Sequence, residues 1–365
     1  MEIRCVYTEG NQNVIQEAVD RLPSAGGTVI VPRGEWKSGA IHLKSNVKLY
    51  LEEGCVIHFS SCMEDYLPPV FTRWEGVECY NYSPLIYAAD CENVTICGTG
   101  VLDGAGSAWW HWKKLQQNAA DRLIRAESQG IVVEERVFAT REDALRPSFI
   151  QFINCKHVTL EDFTIEDGPQ WTIHPVYCED VVVRGVTVNT KGPNTDGCNP
   201  DSCRKVLIED CTFETGDDCI AINSGMNEDG WRVGRPCEQI EVKNCRFIGG
   251  HAAVAIGSGM YIIGIVTTVL LVILQLLLHR NSRVLKPFVS IHVTLSVKSN
   301  QDPMELIHTL FPDKRVKIMD IEAHKTDAEC EESDVKLTIL VPNSYSSSDI
   351  MKIYQATPYV KHIDF

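Results

Sequence analysis

Apolar and polar positions alternate with period two in six short runs of the chain: Asn46-Val-Lys-Leu-Tyr-Leu, Asn93-Val-Thr-Ile-Cys-Gly, His157-Val-Thr-Leu-Glu-Asp, Asp180-Val-Val-Val-Arg-Gly, Lys205-Val-Leu-Ile-Glu-Asp and Gln239-Ile-Glu-Val-Lys-Asn. That period predicts strands. The apolar residue that opens each of the last four falls at 158, 181, 206 and 240, in steps of 23, 25 and 34 residues. Such steps are too irregular for stacked helical repeats. They suit a parallel β-helix, in which one coil takes about that many residues and rises about 4.8 Å, with an insertion in the last step. A β-sandwich of evenly spaced strands is the alternative. Asparagine, cysteine and aspartate recur at the same place in successive repeats, as ladders of a solenoid would. Val14, Ile15, Ala18, Val19 and Leu22 recur at helical spacing and predict a helix over 13–22 that caps the first coil. The interval from Leu102 to Ser148 breaks the repeat and reads as an excursion from the wall. Its Trp109, Trp110 and Trp112 either anchor it or stack on sugar rings.

The pattern changes after Met260. Residues 261–278 hold no Asp, Glu, Lys or Arg and meet the lower limit for a membrane-spanning helix. Arg280, Arg283 and Lys286 follow and predict a cytoplasmic side for what comes next. Residues 288–365 then read as strand 289–297, helix 302–310, strand 315–324, strand 334–341, helix 347–355 and strand 357–365. This βαββαβ order predicts a small ferredoxin-like α+β domain. The expected division is therefore 1–258, 261–278 and 288–365.

Charge and cysteine sharpen that split. The whole chain of 365 residues carries a formal charge of −15. Residues 261–365 contribute 11 basic and 12 acidic side chains, so residues 1–260 hold a net −14. This balance argues against nucleic acid as a partner. Fourteen of the 15 cysteines also precede Met260. The first residues lack the basic and apolar regions of an export signal, so the first domain taken alone is expected in the cytoplasm, with free thiols packed as small hydrophobes. The 261–278 stretch instead predicts a membrane location, and two differently composed pieces meet near Met260, as in a gene fusion or chimera.

Acidic residues concentrate in two turns, Asn194-Thr-Asp196-Gly and Gly216-Asp217-Asp218-Cys. Asp196 and Asp217 are 21 residues apart, close to one coil, so stacking places Asp196 beside the Asp217/Asp218 pair. Converging carboxyls cannot all ionise easily, which supplies an acid and a base together. His251, in Gly249-Gly-His251, lies one coil plus a loop further on, placed to tune the acid. Each motif alone also fits an ordinary polar turn. Three carboxylates can also hold calcium, but Ile220-Ala-Ile leaves few further oxygen ligands, which favours acid/base chemistry without a cofactor.

Asn194-Thr-Asp, Gly216-Asp-Asp-Cys-Ile-Ala-Ile and Gly250-His251 resemble, in order and spacing, the signature of glycoside hydrolase family 28, the polygalacturonases. The likeness runs from about Thr8 to Met260 and includes Gly26-Gly-Thr-Val-Ile-Val-Pro, Ile41-His-Leu-Lys-Ser-Asn-Val and Trp171-Thr-Ile-His174-Pro. It implies a right-handed parallel β-helix and inverting hydrolysis of α-1,4 bonds between galacturonic acid units. By motif, Asp217 would be the general acid, Asp196 and Asp218 would activate water, and His251 would support Asp217. Asn194, Trp171 and His174 would contact a galacturonan oligosaccharide. Ala252 stands where the family prefers glycine, and Asn223 where close relatives often have lysine. An Arg-x-Lys motif expected after the histidine is missing, since Arg315-Val-Lys317 lies far downstream in a different context. The β-helix therefore reads as truncated at its C-terminal end. The tail resembles the last span and ACT-like domain of MgtC/SapB-type membrane proteins. That likeness allows an inactive, membrane-tethered protein whose C-terminal domain senses a ligand, and the carboxylates allow a calcium-dependent pectate lyase. Oligomeric state is left open.

Overall fold

A computed structural model of the chain describes residues 1–257, 288–298, 304–305, 316–325, 332–342 and 360–364. They fall into two compact units, 1–265 and 266–365. In the first unit the coils build three parallel faces of eight, seven and six strands. The first face is an eight-stranded sheet made, in chain order, by Glu2–Arg4, Gly27–Val31, Val47–Leu51, Glu92–Gly98, Lys156–Glu161, Glu179–Arg184, Arg204–Glu209 and Glu238–Lys243. The second face runs from Gly34–Ser38 to Arg246–Phe247 in seven strands. The third carries Ile41–His42, Ile86–Ala89, Ile150–Ile153 and Ile173–Val176, continued by Ile220–Ile222 and Val254–Ile256.

The register follows the sequence repeat. Val158 pairs with Val181, Val181 with Val206 and Val206 with Ile240. Alternation sends these residues inward, where Val94, Val158, Val181 and Val206 are buried above one another and Ile96, Leu160, Val183 and Ile208 form the next row. Each such side chain contributes about 1.5–3 kcal/mol when fully buried, so a stack of equivalent rows holds the coils together. The cap is the helix Val14–Asp20, with Val14, Ile15, Ala18 and Val19 turned onto the first coil. At the other end, Ile240, Val242, Phe247 and Val254 are only partly covered, because no further coil follows among the described residues.

Five cysteines occupy one corner of successive coils. Cys91, Cys155, Cys178, Cys203 and Cys237 each direct Sγ at a backbone carbonyl two residues earlier or in the adjoining coil. All 14 cysteines of the described residues are free thiols, and only Cys62 is exposed.

Two insertions leave the wall. The hairpin Val70–Trp74/Val77–Asn81 turns at Glu75-Gly76, both with positive φ (43° and 87°), as a two-residue type I′ turn requires. The sequence pattern gave no warning of it. It lies along the outside of the third face: Arg73 is fully buried, with Nη1 on Asp201 at 2.9 Å and on Ser202 at 2.8 Å. Arg136 and Arg232 bind Asp229, and Arg232 also reaches Glu78, tying the hairpin to the helix Asn227–Val233. The excursion after Asp103 is held by its tryptophans. Trp109 and Trp112 are buried, with ring centroids 5.0 Å apart, and Trp109 meets Tyr66 edge-on at 5.6 Å. Anchoring, not sugar stacking, is the role of these two rings.

The described part of the second unit is one antiparallel sheet of Phe288–Lys298, Lys317–Lys325, Glu332–Pro342 and Val360–Asp364, in the spatial order second, third, first, fourth. The helices expected at 302–310 and 347–355 lie almost wholly outside the described residues, as does the whole expected span 261–278. Among the described residues no helix is long and apolar enough to cross a membrane.

Candidate active site

The turns between the second and third faces bring the predicted side chains together. Bridges Ile173 to Cys198 and Cys198 to Ile220, and the pair Ile220 and Val254, set the register of four coils. Counting back two residues places Trp171, Asp196, Asp218 and Ala252 in one column. One further step places Gln170, Thr195, Asp217 and His251 in the next. Asp196 is therefore the stacking neighbour of Asp218, with Asp217 offset by one residue. The backbone agrees: Thr172 N donates to Asp196 O at 2.9 Å and Gly197 N to Asp218 O at 3.0 Å.

Asp217 is the most contacted of the three. Its Oδ1 meets His251 Nδ1 at 2.9 Å and accepts from the Asp218 N–H at 3.1 Å. Its Oδ2 accepts from Asn194 Nδ2 at 3.4 Å. His251 is held by its own N–H on Asp217 O, yet its side chain is 75% exposed against 23% for Asp217. Gly250 makes this approach possible: its φ is 101°, and a β-carbon there would stand 2.4 Å from Asp217 O. Asn194 sits at φ 55°, a left-handed conformation that asparagine tolerates well. Its Oδ1 accepts from Arg146 Nη2 at 2.9 Å. Arg146 is fully buried and also donates to Gln116 Oε1 and to the carbonyls of Pro169 and Pro193. Burial lowers its guanidinium to about 10, which leaves it charged at neutral pH. Arg146 thus fixes Asn194, and Asn194 fixes Asp217.

Asp196 is only 5% exposed and accepts from Asn199 Nδ2 at 2.8 Å. Burial, with the charges of Asp217, Asp218 and Glu75, pushes its carboxyl up to about 8, the Asn199 hydrogen bond offsetting part of the rise. Asp218 is raised too, by burial and then by Asp217. Crowding and burial together thus favour a cluster that keeps a proton at neutral pH.

Sequence reasoning missed a fourth carboxyl. Glu75, at the hairpin tip, accepts from Gln170 Nε2 at 3.0 Å and is raised by burial and by Asp217, against Lys113 and Arg146. Trp171 is partly exposed in the Asp196 column, in place to flank a ligand. His174 is not. Its side chain has no exposed surface, and its Nδ1 lies 2.8 Å from Gln151 Nε2 and 3.2 Å from Ser148 Oγ. Burial lowers its pKa, partly offset by Asp201, so the imidazole is neutral. The expected substrate contact is thus corrected: the unforeseen hairpin covers His174, with Gln151 bonded to Arg73 O and Thr72. Asn223 is likewise buried. Among the described residues no group of three or more His, Cys, Asp or Glu is arranged to hold a metal ion.

A family model for glycosyl hydrolases family 28 matches residues 27–271, more than half of the chain. The chain belongs to this family. The match runs past Met260 into the stretch expected to span a membrane, and it gives no support to the MgtC/SapB-type resemblance of the tail. A probable polygalacturonase of Vitis vinifera is 29% identical over 237 residues, covering 62% of this chain and 43% of the relative. The exo-poly-alpha-D-galacturonosidase of Dickeya chrysanthemi is 27% identical over 249 residues, covering 60% and 40%. The crystal structure of a hyperthermoactive exopolygalacturonase from Thermotoga maritima superposes with a TM-score of 0.68 at 41% identity, over 71% of this chain and 63% of that one. The chain thus spans less than half the length of these curated relatives.

Proposed function

We propose that the first unit is a polygalacturonase-type glycosidase that hydrolyses α-1,4-galacturonosyl bonds in pectin-derived oligomers with inversion. The observation that carries this reading is the convergence of Asp196, Asp217, Asp218 and His251 from three successive coils on one face. Asp217 protonates the leaving oxygen, with His251 and Asn194 holding its two oxygens. Asp196 and Asp218, one coil apart, bind and deprotonate the attacking water. Asp217 gives its proton to the leaving oxygen as the bond breaks, and the water gives its own to the Asp196/Asp218 pair. The names of the Dickeya and Thermotoga relatives favour attack from a chain end. The hairpin supports this, because its tip is fixed against Gly225 and Met226 and sets Glu75 on Gln170, next to Trp171 of the Asp196 column.

The test is incubation with trigalacturonate, reading new reducing ends and ultraviolet absorbance together. Reducing ends without absorbance are expected. Absorbance from unsaturated ends would replace hydrolysis by lyase chemistry, and loss of it with chelator would make that lyase calcium-dependent.

For the second unit the reading is a ferredoxin-like domain, supported by the second-third-first-fourth order of its antiparallel strands, the order a βαββαβ sandwich adopts.

A further inference from the structure

A galacturonide brings one carboxylate per sugar to a domain with a surplus of negative charge, so the cleft needs a cation. Arg146 is buried and committed to Asn194, Gln116 and two carbonyls. Lys191, beside the catalytic turn, is paired with Glu214 at 2.7 Å. Lys113 is different. It lies in the short helix Trp112–Leu115 of the excursion, and its N–H bonds Trp110 O at 3.1 Å, one turn earlier on the same side. Trp110 is pressed against the catalytic turns: its Nε1 donates to Gly168 O at 3.0 Å, and a β-carbon on Gly192 would stand 2.1 Å from that nitrogen. Trp110 at Gly168 and Glu75 at Gln170 thus meet one turn two residues apart, and the Trp110–Lys113 turn brings Lys113 to the same side. Among the described residues it makes no ion pair. Glu75 is held by Gln170 through Oε1 only, and the Oε1 of Gln170, itself 2% exposed, has no partner.

We propose that Lys113 and Glu75, each from an insertion outside the solenoid wall, form the uronate-reading subsite of this cleft. The Lys113 ammonium takes the carboxylate of one galacturonosyl residue. Glu75 accepts hydrogen bonds from hydroxyls of the same ring and repels its carboxylate, so that the ring enters in one orientation. This proposal rests on the galacturonan reading above.

The experiment is calorimetric titration of the full chain, made unreactive by Asp217→Asn, with trigalacturonate and with its methyl ester. Adding Lys113→Met should weaken trigalacturonate binding by about tenfold or more, the size of a charge-assisted hydrogen bond, and leave the ester unchanged. Lys113→Arg should keep most of the affinity, and Glu75→Gln should weaken binding of the ester more than that of the acid, whose carboxylate it no longer repels. Equal losses for acid and ester on Lys113→Met, or no loss for either, would overturn the subsite. Failure of the folded Asp217→Asn chain to bind either oligomer, before any change at Lys113, would overturn the galacturonan reading and this proposal with it.

Discussion

Asp217→Asn is expected to lower kcat on oligogalacturonides by about 10³-fold, within the range of general acid catalysis, while KM changes by less than about threefold. The substitution keeps the shape of the side chain. Its amide oxygen still accepts from Asn194 or from the Asp218 N–H, so the turn stays in place and the thermal midpoint should move little. What disappears is the transferable proton. Steady-state kinetics beside a thermal melt separate the two effects. A kcat within about threefold of the unaltered chain would remove Asp217 from proton transfer.

Asp196→Asn is expected to abolish activity and stabilise the fold in the same step. Unfolded, Asp196 titrates at the ordinary carboxylate value; folded, burial and its acidic neighbours hold it at about 8. The folded chain therefore binds the extra proton between roughly pH 4 and pH 8, so Asp196 lowers stability progressively as pH rises through that window. Asparagine, carrying no charge to bury, escapes the penalty. Denaturant unfolding should show near-equal stabilities at pH 4 and a gain for Asp196→Asn of about 3–5 kcal/mol at pH 8. A gain that does not grow with pH would mean that the buried carboxyl carries no such cost.

The solenoid was legible because its information is local and repeated. Val158, Val181, Val206 and Ile240 announce the register by position alone, and the same count projects Asp196, Asp217, Asp218 and His251 onto one face. The side chains that arrive from outside the repeat were not legible. Glu75 lies 142 residues before Asp217 on a hairpin whose course over the third face depends on the buried Arg73–Asp201 pair. Arg146 stands at the end of the excursion, where no periodicity predicts which way it turns. His174 was misread for the same reason: its strand was foreseen, but the hairpin that covers it was not. Trp109 and Trp112 looked equally suited to sugar or to core, and only packing against Tyr66 and Tyr82 decides for core.

The most direct test of the proposed mechanism is proton NMR of the anomeric signals during the first minutes of trigalacturonate hydrolysis by the full chain. Asp217 on one side of the bond and a water held by Asp196 and Asp218 on the other predict a new reducing end that appears first as the β-anomer and equilibrates later. An α-anomer appearing first would contradict that arrangement, since it requires a covalent glycosyl intermediate on one of these carboxylates.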